Sequence, residues 1–129
     1  MTLNFNQISE LISVMTELQD TKMPFKISLM LAKNLNLLKK EEEFYIEQER
    51  QFAQKYLEFD AEKQEFVQTA QNVFKIKDGL EQECREAREA LNDFTAEVEL
   101  RMIPLSAVET MEFTPKQLAA LELIIAEEE

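Results

Sequence analysis

Leu31, Leu35, Leu38, Tyr45, Phe52, Tyr56 and Phe59 fall on one series of steps of four and three, and Glu42 and Glu49 fill its two remaining positions. Such an alternation is a 3.5-residue repeat, the mark of a helix whose seam faces another helix. Counted from Pro24, which suits a first helical position, to Phe59, the helix would extend roughly 50 Å at about 1.5 Å per residue. A rod of that length needs a second element beside it. The sequence offers one at Leu80, Cys84, Ala87, Leu91, Phe94 and Val98, which repeat the same steps. Two seams joined by an intervening segment predict an antiparallel helical hairpin, with packing residues Leu31, Leu35, Leu38, Tyr45, Phe52 and Tyr56 on one arm and Leu80, Cys84, Ala87, Leu91 and Phe94 on the other. Composition agrees, because one glycine and three prolines in 129 residues leave few turn formers.

The remaining elements follow from local signals. Asn6 reads as the N-cap of a helix over 6–18, whose Ile8, Leu11, Ile12, Met15 and Leu18 share one face. Between the seams, the Phe, Val and Ile of "QEFVQTAQNVFKIKD" suit a β segment over 65–77, with strands at Glu65–Gln68 and Asn72–Lys77 and a turn near Thr69–Gln71. Either "TLNF" at the start or "VELRM" at 98–102 would supply a third strand, although the latter also suits a helix end. Asp78, Gly79 and Glu81 read as N-cap, N1 and N3 of the second arm, 79–98. Thr114, Pro115 and Gln117 open a C-terminal helix over 115–126, whose Leu118, Leu121, Leu123, Ile124 and Ile125 should dock on the hairpin or on another copy. Glu127–Glu129 reads as a solvated tail. The expected fold is mostly α (α+β), one domain over 1–129, in which a long antiparallel helical hairpin is joined by a small β-hairpin or sheet and a short C-terminal helix.

Charge narrows the partners. With 26 acidic and 14 basic residues the net charge is -12, which repels nucleic acid and anionic membranes alike. The distribution is uneven, since residues 79–129 hold 13 acids and four bases. Glu81, Glu83, Glu86, Glu89, Asp93 and Glu97 form a candidate acidic interaction face. Lys22, Lys26, Lys33, Lys39 and Lys40 lie at the opposite extreme, with no acid between positions 22 and 40. At a helix N-terminus the macrodipole disfavours such cations. Either Asp93, Glu97 and Glu99 come alongside them in the hairpin, or the lysines form a solvated face. The seam glutamates Glu42 and Glu49 are expected to be exposed where the partner helix diverges; the alternative is that another chain supplies a base to them.

Catalytic patterns are scarce. The chain has no histidine, which removes the common triads and the commonest metal ligand. Cys84, the one cysteine, has Glu81, Glu83 and Glu86 nearby, which disfavour a thiolate, so it reads as a buried structural residue. One glycine cannot build a phosphate-cradling loop. The cluster Glu41, Glu42, Glu43, Glu47 and Glu49 leaves a carboxylate–metal nucleotide hydrolase as a remote alternative. A helical pyrophosphohydrolase pattern, Glu-Glu-x-x-Glu followed by Glu-x-x-Asp, nevertheless fails twice. Ile46 stands where its third glutamate belongs, and Glu89 and Asp93 are four residues apart. No catalytic residue, metal or cofactor is expected. The lone cysteine, the lack of a signal-like start and the lack of a long apolar run point to the cytoplasm.

The order of pieces resembles small uncharacterised proteins of tailed phages of Gram-positive bacteria. An apolar start and amphipathic helix lead into "KNLNLLKKEEEFYIEQERQFAQKYLEFD", then a polar turn and a short β segment, so the resemblance spans roughly residues 1–79. It departs at the turn, where "DAEKQE" stands in place of an Asp-Gly. The resemblance implies a phage origin, with a host-cell cytoplasmic location, and no activity that could be assigned to residues. Two functional expectations follow. One is a non-enzymatic assembly or interaction protein that self-associates as a homo-oligomer through its helical hairpin; the other is an acidic, nucleic-acid-mimicking inhibitor of a basic host defence or nucleic-acid-binding protein.

Overall fold

The computed structural model describes residues 1–126. Along the chain come β1 (Thr2–Asn4), α1 (Phe5–Glu17), α2 (Phe25–Tyr56), β2 (Phe59–Asp60), β3 (Glu65–Phe66), β4 (Gln68–Ala70) and β5 (Val73–Phe74). They are followed by α3 (Glu81–Asn92), β6 (Thr95–Glu97), β7 (Ile103–Pro104), α4 (Leu105–Val108), α5 (Pro115–Leu121) and β8 (Ile125–Ala126). The chain is mostly α, with small two-stranded sheets, and so belongs to the α+β class. Its α-carbons gather into two compact units, Met1–Glu43 with the chain from Thr95 onward, and Phe44–Phe94.

The first unit is organised around α1. Asn4, two residues before the expected cap, accepts the Gln7 N–H at 2.9 Å, while Gln7 Oε1 accepts the Asn4 N–H at 2.9 Å. This reciprocal box starts the helix at Phe5. The expected face, Ile8, Leu11, Ile12, Met15 and Leu18, is buried throughout, joined by Val14. α5 packs against α1. Its Thr114–Gln117 box forms as expected, and Gln117 Nε2 also donates to Glu17 Oε2 at 3.3 Å. The helix ends at Leu121, short of 126; a 3-10 turn over Glu122–Ile124 follows, and the β-branched Ile125 enters β8, parallel to β7.

Leu31, Leu35 and Leu38 are buried in this unit. Among them lies Asn34, fully buried, a residue at i+3 from Leu31 and i−4 from Leu38. Arg101 N–H donates to Asn34 Oδ1 at 2.7 Å, and Asn34 Nδ2 donates back to the Arg101 carbonyl at 3.0 Å. One side chain thereby pairs both backbone groups of Arg101 in the irregular stretch 98–102, and the buried amide of Asn34 is itself hydrogen-bonded.

The second arm of the predicted hairpin is shorter than expected. α3 stops at Asn92, and Thr95–Glu97 forms β6, antiparallel to β1 with Thr2 opposite Glu97 and Asn4 opposite Thr95. The helix to 98 was suggested by the step from Phe94 to Val98. The same residues also alternate with period two, Ala96 and Val98 being buried and Thr95 and Glu97 exposed, and pairing with β1 decides in favour of the strand. Thr2–Asn4 of "TLNF" is thus a strand, but with β6 as its partner, and Phe5 opens α1; neither Thr2–Asn4 nor 98–102 pairs with the 65–77 segment.

In the second unit that segment has a different third member. Val67 N–H donates to the Glu58 carbonyl at 2.9 Å, Lys75 N–H to the Val67 carbonyl at 2.8 Å, and Glu58 N–H to the Lys75 carbonyl at 2.9 Å. Three backbone segments close on one another around these residues. β2 pairs with β3 and β4 with β5, both antiparallel, and the second turn falls at Gln71–Asn72, with Asn72 at φ 60°. Gln64, at φ 56°, closes the glycine-free turn, while Asp60 Oδ1 accepts the N–H groups of Glu62 and Lys63. The rings of Phe59 and Phe66, and of Phe66 and Phe74, meet edge to face at 5.2 and 6.4 Å.

Gly79 does not start α3. The helix begins at Glu81 with Leu80 as N-cap and no side-chain cap, so the Asp78-to-Glu81 cap does not form. Leu80 N–H instead donates to the Lys77 carbonyl at 3.1 Å, closing a turn in which Gly79 takes φ +84°. That left-handed conformation is costly for a residue with a Cβ.

Candidate interaction surfaces

The last turns of α2 and the whole of α3 run antiparallel in the second unit. Phe94 stacks on Tyr45 at 5.2 Å and on Phe44 at 6.2 Å, and Glu49 meets Arg88. Of the predicted seam, Tyr56 and Cys84 are buried here, while Tyr45, Phe52, Leu80, Ala87, Leu91 and Phe94 are half-buried. With 12 residues in α3 against 32 in α2, the arms are unequal, so α3 has too little length to accompany the whole seam. Leu31, Leu35 and Leu38 belong to the other unit.

Glu49 is not left exposed as expected. Arg88 Nη2 and Nη1 donate to its two carboxylate oxygens at 2.5 and 3.0 Å, and the Tyr45 hydroxyl donates to Oε1 at 2.6 Å. The Arg88 hydrogen bonds hold the Glu49 carboxyl below its usual range against the opposing effect of burial. The same carboxylate, added to burial, raises the Tyr45 hydroxyl. Arg88 Nε donates to Asn92 Oδ1 at 3.1 Å, and the guanidinium lies 4.8 Å from the Phe52 ring centroid. The sequence pattern put no weight on Arg88. Its spacing of four from both Cys84 and Asn92 was the available signal.

Glu47 is paired as well, with Arg50 and Gln51, and the Arg50 hydrogen bond lowers its carboxyl to about 2. Two members of the Glu41–Glu49 cluster are therefore held by side chains of this unit. Among the described residues no three carboxylate or thiol groups converge on a metal position. The Cys84 thiol is buried, and burial raises its pKa while Arg88 partly opposes the rise.

On one side of the hairpin the packing is open. A groove of about 410 Å³ runs between the helices, floored by Phe52, Tyr56, Leu91 and Phe94 and bordered by Phe44, Gln48, Gln51 and Lys55 from α2 and Ala87 and Ala90 from α3. The two alanines keep that wall low. Glu83 and Glu86 stand one turn before Ala87 and Ala90, so they flank the wall of the groove without lining it; Glu83 interacts with Lys55, and Glu86 accepts from Gln82 Nε2 at 3.1 Å. Glu81, Glu83, Glu86, Glu89 and Asp93 are all exposed, as the predicted acidic face requires. Glu97 lies outside α3, where its carboxylate takes the Met1 ammonium at 3.4 Å and the Thr2 hydroxyl.

The lysines find no such partner. Lys22, Lys26, Lys33, Lys39 and Lys40 are all exposed, and none enters the ion pairs seen between described residues. No helix of the described chain is long and apolar enough to cross a membrane. Comparison with family models, with curated proteins and with solved structures finds no match to this chain.

Proposed function

We propose that this chain is a non-enzymatic assembly protein that associates with further copies of itself through the open side of its α2–α3 hairpin. A phage origin, implied by the layout of residues 1–79, belongs to the same proposal. The observation that carries it is the thin core of the second unit. Among the described residues of Phe44–Phe94, Tyr56 and Cys84 are the apolar side chains that reach full burial, while Phe44, Ile46, Phe59, Val73 and Phe74 remain 42–55% exposed. Apolar surface of that extent on a small unit favours coverage by another chain. Light scattering over a concentration series tests this directly. Wild type should gain mass with concentration, and Phe44→Glu, a change at a residue 54% exposed, should remain monomeric and folded, its melting temperature lowered only by loss of the ring contact with Phe94. A wild-type chain that stays monomeric throughout would refute it.

The exposed carboxylates of α3 favour a second reading, an acidic inhibitor that occupies a basic protein surface. That reading requires a strictly monomeric chain whose capture of a basic partner is lost on neutralising Glu81, Glu83, Glu86 and Glu89 together.

A further inference from the structure

The groove needs an occupant, and the first half of α2 has the complementary character. Lys26, Leu29, Lys33, Leu37 and Lys40 follow one another by steps of three and four, so they form one stripe on the helix. It lies away from the buried Ile27, Leu31, Leu35 and Leu38. Phe25, at the head of the same stripe, is 81% exposed, Leu29 is 40% exposed and Leu37 38%. Lysines and large apolar side chains thus alternate along an exposed helix face. The groove offers the converse: an apolar floor of Phe52, Leu91 and Phe94 with Glu83 and Glu86 flanking its wall.

We infer that the groove of one copy receives the Phe25–Lys40 stripe of another, the apolar residues entering the floor and the lysines meeting the α3 carboxylates. This occupant rests on the self-association proposed above. The charges are opposite in sign. The stripe carries Lys26, Lys33 and Lys40, with no acid between positions 22 and 40, whereas α3 carries Glu81, Glu83, Glu86 and Glu89 against Arg85 and Arg88. Arg88 is already held by Glu49, leaving Lys55, which interacts with the Glu83 carboxylate, as the cation bordering the groove. The contact is heterologous, since it joins two different patches, and therefore propagates from copy to copy into a ring or an open chain. Opposite charges also give the encounter a direction, which suppresses stripe-to-stripe and groove-to-groove pairing.

Reciprocal charge reversal tests the assignment. The double variants Lys26→Glu/Lys33→Glu and Glu83→Lys/Glu86→Lys alter exposed positions, and circular dichroism should show wild-type helicity for each, with a modestly lower melting temperature for the second, which puts a lysine in the first turn of α3. Each variant alone should be monomeric by sedimentation, because each opposes like charges in every copy-to-copy contact. An equimolar mixture should associate again, since the intact stripe of one variant meets the intact groove of the other. Wild-type association should weaken roughly tenfold or more between about 0.05 and 0.5 M salt, as the Debye length shrinks from well above 10 Å towards about 4 Å. Two outcomes would overturn the inference. If both double variants assemble like wild type while Phe44→Glu does not, the groove has a different occupant and self-association survives. If wild type itself never exceeds a monomer, both proposals fall.

Discussion

Arg88 reaches Glu49 with both terminal nitrogens, Asn92 with its Nε and the ring of Phe52 with its flat face. Lysine could supply one of these contacts at a time, because an ammonium has neither the fork nor the plane. The pair keeps about a third of each side chain in water, at 35% and 33%, so it is worth less than a buried one. Removing Arg88 leaves Glu49 half-buried with the Tyr45 hydroxyl as its remaining donor, and Arg88→Ala should cost about 1–2 kcal/mol at neutral pH. The sign of the pH dependence follows from the direction of the shift. Glu49 titrates lower in the folded chain than in the unfolded one, so its contribution is complete above the ordinary carboxylate value and disappears as pH falls through the lowered native value. Urea melts of Glu49→Gln should therefore show a deficit at pH 7 that narrows as the pH falls below about 4.5. A deficit that is constant with pH would mean that the ion pair contributes nothing beyond shape.

The turn that delivers the chain from the β segments into α3 depends on one backbone conformation. A Cβ added to Gly79 would meet no atom within 4 Å, so space is not what excludes other residues. The constraint is φ +84°, and Gly79→Ala should cost about 1–2 kcal/mol, with Gly79→Val at least as costly, both read as lower melting temperatures. A melting temperature unchanged in Gly79→Ala would show that the turn can relax into another form. The glycine was legible in the sequence as punctuation, though its mechanism was not, because "DGLE" fits both a capped helix start and a turn. The same ambiguity explains the second arm. A step of four at Phe94–Val98 satisfies a heptad and a strand equally, and the deciding partner, Thr2–Asn4, is more than ninety residues away in sequence. Elements with unambiguous local signals were read correctly, namely the α1 face and the Thr114–Gln117 box, while the start of α2 was placed one residue early, at Pro24. Asn34 was out of reach, since nothing local distinguishes an asparagine that bonds Arg101 from one that faces water.

At the scale of the molecule the two units differ in how much they bury. Among the described residues, Met1–Glu43 and the chain from Thr95 hold every fully buried aliphatic of the core, from Leu3 and Ile8 to Ile124, whereas Phe44–Phe94 contributes Tyr56 and Cys84. The candidate surfaces follow this division. The groove was half legible, because the seam named its floor, while its open side depends on the low wall made by Ala87 and Ala90 and on α3 ending at Asn92. Since local stability tracks buried apolar contact, the units should open at different free energies. Hydrogen exchange on dilute chain should show α1 amides exchanging roughly tenfold or more slowly than those of α3. If the second unit is completed by another copy, raising the concentration should slow exchange in α3 and along α2, whose second half borders the groove and whose first half supplies its occupant, with α1 far less affected. Slowing confined to α1 and α5 would place the interface on the well-packed unit and remove the reason for assigning it to the hairpin. Equal protection in both units at low concentration would show that Phe44–Phe94 is stable with its apolar surface uncovered, and exposure would then be a property of the free chain that requires no partner.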